Sequence, residues 1–169
     1  RGVDGGAPPI LALTGTASRV VLHDVLHQLG IELTSANTIV KPESFDRPEL
    51  SMRVVGCSTG QTLPTLGGLL RSLPGEFGMT SSRFFQPRGS DTAAGLVFSP
   101  TKSGWDWSVA ASDDVLNQVC AGTHASYYGN LGAAGKDIAE RFKSNELLAL
   151  SATKAYGMGI DKPNVRWVI

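Results

Sequence analysis

The sequence is short of most features that assign a function by themselves. Its two cysteines, Cys57 and Cys120, stand apart, with no C-x-x-C spacing and no histidine cluster beside them. They read as small apolar side chains in a reducing compartment. Neither sign of charge is in excess: fifteen basic residues balance fifteen acidic ones. The electrostatic footprint of a dedicated nucleic-acid-binding module is therefore missing, though a local basic rim is compatible with that balance. No apolar run approaches the roughly 18 residues that cross a bilayer, and no charged-then-apolar leader is visible, so a cytoplasmic protein is expected. A phosphate loop of the form G-x-x-x-x-G-K-[ST] is absent. The nearest approach, Asn130 to Asp137 (N-L-G-A-A-G-K-D), fails at the first glycine and at the hydroxyl residue that would bind Mg²⁺. His23 and His27 share a helix face at i, i+4 but lack a third ligand, so no metal site is expected.

What is present is an alternation of short apolar runs with helical periodicity. A length of 169 residues suits one ordinary domain. The start at Arg1 and the stop at Ile169 within an apolar run lead us to expect a piece of a longer protein. Pro8 to Thr14 predicts a strand, followed by a helix capped by Thr16 or Ser18 and stopped at Gly30. Ile31 to Pro48 reads as an extended connector, because Pro42 and Pro48 rule out a helix interior. Ser51 to Cys57 predicts a strand, and Thr62 a cap for a helix with Leu63, Leu66, Leu69, Leu70 and Leu73 on one face. Pro74 to Ala94, rich in Gly, Ser and Pro, reads as a surface insertion. Then come a strand (Gly95–Ser99), a helix (Ser108–Cys120), a strand (His124–Tyr128), a helix (Lys136–Lys143) and a final strand pair. Strands alternating with helices predict an α/β fold with a parallel sheet and right-handed crossovers.

The densest chemistry lies in the tail, Ser151 to Arg166 (S-A-T-K-A-Y-G-M-G-I-D-K-P-N-V-R), between the two last apolar runs. A loop at the carboxyl end of a strand is where open α/β sheets place ligand contacts. Thr153 offers a hydroxyl, Gly157 and Gly159 allow close backbone approach, Asp161 is an acceptor, and Lys162 and Arg166 bring positive charge. On the bland reading these are a generic strand-end threonine, turn glycines requiring positive φ, a turn-forming aspartate and a solvated rim.

These sixteen residues resemble motif V of the RecQ-type superfamily 2 DNA helicases. Four further blocks resemble the same family in order. Ile10 to Ser18 (I-L-A-L-T-G-T-A-S) is similar to motif III, and Ser44 to Leu50 (S-F-D-R-P-E-L) to the linker between the two motor domains. Gly95 to Lys102 (G-L-V-F-S-P-T-K) is similar to motif IV, and Tyr127 to Leu131 to a tyrosine-led block that precedes a helix. The resemblance implies a RecA-like, three-layer αβα architecture. Residues 1–40 would end the first motor domain, 41–50 would be the linker, and 51–169 most of the second domain, with an insertion at about 74–94. It departs from the family pattern at Gly15, where alanine is usual, and at Tyr128-Gly129-Asn130.

The resemblance further implies roles. Thr14 and Thr16 would couple nucleotide state to DNA contact. Gly157, Gly159 and Asp161 would face the nucleotide, and Ser99, Thr101, Lys102, Thr153, Lys162 and Arg166 would face DNA, through phosphates and without reading sequence. The longer protein would use ATP and Mg²⁺ to translocate on single-stranded or forked DNA. This segment carries neither the phosphate loop nor a D-E-x-H box, so it is expected to be inactive alone. Trp105 and Trp107 are read as helix-entry packing, with base stacking as the rival. The alternative function is a non-catalytic DNA-binding or regulatory protein derived from a motor domain.

Overall fold

The computed structural model describes residues 10–14, 18–31, 39–40, 47–157 and 161–169. The chain divides into two compact units, Arg1–Arg53 and Val54–Ile169.

In the first unit the helix α1, Arg19–Leu29, forms where its apolar periodicity predicts. The Ser18 side chain accepts from the Val21 N–H, and Gly30 ends the helix at φ 61°. The strand expected before it does not form: residues 10–14 have no regular structure, and Ile10, Leu11 and Leu13 are exposed. An apolar strand is stable only when a neighbour satisfies its backbone, and none of the described strands pairs with it. His23 and His27 are exposed, and the described residues contain no cluster able to hold a metal.

The second unit contains the expected α/β architecture, a four-stranded, all-parallel sheet with helices on both faces. The strands are β1 (Ala94–Phe98), β2 (His124–Tyr127), β3 (Ala149–Ala152) and β4 (Val165–Val168), in the order β2-β3-β1-β4. The helices are α2 (Thr62–Glu76), α3 (Ser81–Phe84), α4 (Val109–Cys120) and α5 (Ala133–Lys143). Side-chain alternation sorts the strands between two cores. Val97 and Ala149 pack with Leu66, Leu70 and Leu116 from α2 and α4. Leu150, Ala152 and, more loosely, Phe98 pack with Phe142 of α5. Every residue of β3 is buried, as a central parallel strand requires. Its one hydroxyl is satisfied by Ser151 Oγ donating to the Val109 carbonyl at 2.9 Å.

Three expectations are corrected here. Ser51 to Cys57 is exposed and irregular, with Met52 and Val54 almost fully in solvent. Thr62 is the first residue of α2 rather than its cap; Gln61 holds that position without a side-chain bond. The surface reading of residues 74–94 is corrected in part: most of them are exposed, but several are packed. The helix α2 runs through Pro74, and Leu73 and Pro74 are buried. Phe84 packs edge-on against Phe85 at 5.0 Å and tilted against Phe77 at 5.3 Å. The Gly and Pro content concealed three phenylalanines that pack together, and aromatic burial outweighs turn propensity.

Candidate nucleic-acid interface

The topology creates a crevice. From β1 the chain crosses by α4 to β2, passing β3, and then returns by α5 to β3. Right-handed crossovers in opposite directions put α4 and α5 on opposite faces. The chain leaves β1 on the α4 face and β3 on the α5 face, so the carboxyl ends of these adjacent strands form a topological switch point. The register Phe98↔Ala152 brings the two loops level. Between them lies a cavity of about 760 Å³ lined by Phe98, Ser99, Pro100, Lys154, Ala155 and Gly157. Two segments more than fifty residues apart in sequence thus share one site.

Each predicted residue can now be placed. Thr153 is half-buried at the end of β3. Its N–H donates to the Tyr127 carbonyl at 3.0 Å, and its hydroxyl oxygen accepts from the Ala155 N–H at 3.4 Å. That bond starts a 3₁₀ turn, Lys154–Tyr156, and leaves the hydroxyl hydrogen able to donate. Lys154, which the sequence reading did not single out, is exposed on the cavity wall. Its signal was its place directly after Thr153. Tyr156 anchors the loop from below, packed edge-on against Tyr127 at 4.7 Å and Phe142 at 5.7 Å. Burial, then Tyr127 beside it, pushes its hydroxyl up to about 12.

Gly157 lines the cavity at φ −77°, so it is not there for a left-handed turn. A Cβ at this position would sit 3.4 Å from the Lys154 carbonyl and 3.8 Å from the Phe98 ring. Gly159 and Thr16 lie outside the described residues. Asp161 and Thr14 are exposed.

The loop after β1 contributes unevenly. Lys102 is exposed, with its ammonium 4.3 Å from the centroid of the Tyr128 ring. Thr101 is half-buried, and its hydroxyl has no hydrogen-bond partner. Ser99 is buried and its hydroxyl is bonded to Ser112 Oγ at 2.8 Å. It braces β1 against α4, so its side chain is not presented to a ligand.

Two expected rim cations are elsewhere. Lys162 is buried: Nζ donates to Asn145 Oδ1 at 2.6 Å and to the Lys143 carbonyl at 3.5 Å, and lies 4.8 Å from the Phe142 ring centroid. None of these partners is anionic, and burial holds its ammonium below the ordinary lysine range. Asn145 Oδ1 also accepts from Asn164, which donates in turn to the Thr92 carbonyl. Lys162 is thus a packing and bonding residue. Arg166 is exposed but stands on β4 between residues level with Ala94 and Gly95, at the amino end of β1. It lines a separate cavity of about 330 Å³ with Arg83, Arg88 and Asp91. A lone strand-end sequence does not reveal which edge of the sheet a residue occupies.

Away from the crevice, His124 Nε2 lies 3.5 Å from Asp113 Oδ1, linking β2 to α4. The carboxylate, followed by the bond to Cys120, pushes the imidazole up to about 10. For Asp113, burial works against ionisation, but His124 and Ser126 outweigh it and the carboxyl is lowered. Among the described residues no helix is long and apolar enough to cross a membrane.

No protein-family model matches the chain. It is 32% identical over 165 residues to an ATP-dependent DNA helicase RecQ of Bacillus subtilis, covering 96% of this chain and 23% of that protein. It is 27% identical over 166 residues to a probable ATP-dependent DNA helicase RecS of the same organism, covering 97% of this chain and 28% of that protein. A bifunctional 3'-5' exonuclease/ATP-dependent helicase WRN of Mus musculus is 29% identical over 161 residues, 95% of this chain and 10% of that protein. The chain thus spans about a quarter of the two bacterial relatives, and the likeness runs along nearly all of it.

Proposed function

We propose that this chain, RecQ-like along nearly its whole length, is the DNA-gripping part of an ATP-dependent DNA helicase. The observation that carries the reading is the switch-point crevice, where the two loops similar to motifs IV and V meet. Thr153 would donate its hydroxyl hydrogen to a phosphate oxygen, with Lys154 and Lys102 supplying charge on the same edge of the sheet. Asp161 is assigned to the nucleotide side of the loop, because a carboxylate repels phosphate but accepts from a ribose hydroxyl. Gly157 keeps the cavity wall low by carrying no side chain.

The residues present do not build a triphosphate cradle by themselves. The sequence has no G-x-x-x-x-G-K-[ST]; the strand-to-helix loop between β2 and α5 carries Gly129 and Gly132, but Asn130 stands at the first glycine position and Asp137 where the hydroxyl residue would be. The metal and most nucleotide contacts are therefore assigned to other parts of a longer protein, and this segment alone is expected to hydrolyse no ATP. The test is Thr153→Val in the full-length protein. Loss of single-strand affinity with nucleotide affinity kept supports the reading; the reverse outcome exchanges the two sides of the loop.

A further inference from the structure

Two tryptophans, two residues apart in the loop between β1 and α4, have opposite surroundings. Trp107 is half-buried, and its indole N–H donates to the Phe98 carbonyl at 2.8 Å. Trp105 is 75% exposed. The loop is nonetheless firmly based. Thr101 and Ser108 form a bridge, the Val109 N–H donates to the Thr101 carbonyl at 2.9 Å, and the Ala110 N–H to the Lys102 carbonyl at 3.2 Å. The Ser108 side chain caps α4. Gly104, at φ 91°, turns the chain directly before Trp105. A pinned loop therefore holds a large aromatic ring in water, where such a side chain forfeits the burial it usually gains.

The surroundings of that ring point to one kind of ligand. Lys102, in the same loop, reaches Tyr128 beyond β2, so the loop leans across the carboxyl edge of the sheet, past the end of β3 where Thr153 and Lys154 lie. Trp105 is flanked by Ser103, Gly104 and Asp106, all exposed. One isolated ring among polar residues is too small an apolar patch for a protein interface. A flat π-face in a loop that also carries Lys102 suits a single-stranded nucleic acid, whose bases stack while its phosphates meet cations along the same strand.

We propose that Trp105 is a stacking platform for an unpaired base of the strand whose backbone the crevice holds. The assignment rests on the DNA-gripping reading above. Stacking of this kind is indifferent to base identity, because every base has a π-face.

The test is fluorescence anisotropy on the full-length protein with two labelled oligomers of equal length, an oligothymidylate and an abasic strand. Trp105→Ala is expected to weaken oligothymidylate binding about tenfold and to leave the abasic strand's affinity unchanged. Trp105→Phe should retain most of the preference for the strand that carries bases. Equal weakening on both strands would make the residue a loop-shaping one and overturn the proposal, as would no weakening on either. A wild-type protein that binds neither oligomer would refute the DNA-gripping reading itself.

Discussion

Gly95→Ala places one methyl group where the fold has no room. Gly95 pairs with Trp167 across β1 and β4, and a Cβ on Gly95 would fall within the Trp167 ring. The ring cannot easily yield. It is 6% exposed and packed in the α2–α4 core, and its indole N–H donates to the Ala93 carbonyl at 3.0 Å. Forcing an extra carbon into a filled core costs about 1–3 kcal/mol. Breaking the indole bond with its partner still buried adds about 1 kcal/mol or more. The expected loss is about 3 kcal/mol, enough to lower the melting temperature by about 10 °C in a unit of this size. Urea unfolding followed by tryptophan fluorescence measures it. Trp167→Leu makes room, so Gly95→Ala should cost markedly less in that background. A loss below about 0.5 kcal/mol in the wild-type background, or equal losses in both, would refute the packing of Trp167 over Gly95.

Four further outcomes are expected. Lys162→Ala should lower stability, read by urea unfolding, by about 1–3 kcal/mol because it removes one of the two donors to Asn145 Oδ1 and the bond to the Lys143 carbonyl; single-strand affinity should be unchanged within error. Ser99→Ala should cost about 1 kcal/mol of stability through loss of the Ser112 bond, with no selective effect on DNA. The folded His124 pKa lies above its unfolded value, so its contribution to stability is full below about pH 6.5 and fades as pH rises toward about 10. Denaturation midpoints across that range should flatten in His124→Gln. Thr153→Val should weaken single-strand binding about tenfold, the scale of one hydrogen bond to a charged group.

Much of the fold was legible because the helices and strands of the second unit carry unambiguous periodicity. Ser18 and Gly30 bound α1 as cap chemistry requires, and the apolar face of α2 is buried at Leu66, Leu70 and Leu73. What sequence could not supply was context. Pro8 to Thr14 and Ser51 to Cys57 have strand composition, yet a strand exists only where a neighbour satisfies its backbone. In the tail, side-chain direction was the hidden variable: Asp161 and Lys162 are adjacent, but one is exposed and the other buried. Likewise Trp105 and Trp107 look equivalent as text. Only the Phe98 carbonyl, placed by the end of β1, distinguishes the packed ring from the exposed one.

The most direct test of the DNA grip is the salt dependence of single-strand binding by the full-length protein, compared with a Lys102→Gln/Lys154→Gln double variant. If both lysines neutralise phosphates at the switch-point edge, the slope of log affinity against log salt should fall by about 1.4, from about 0.7 per phosphate contact on a single strand. Nucleotide affinity should stay at the wild-type value. An unchanged slope would mean that the crevice between β1 and β3 does not hold the DNA backbone, and the central claim would be wrong.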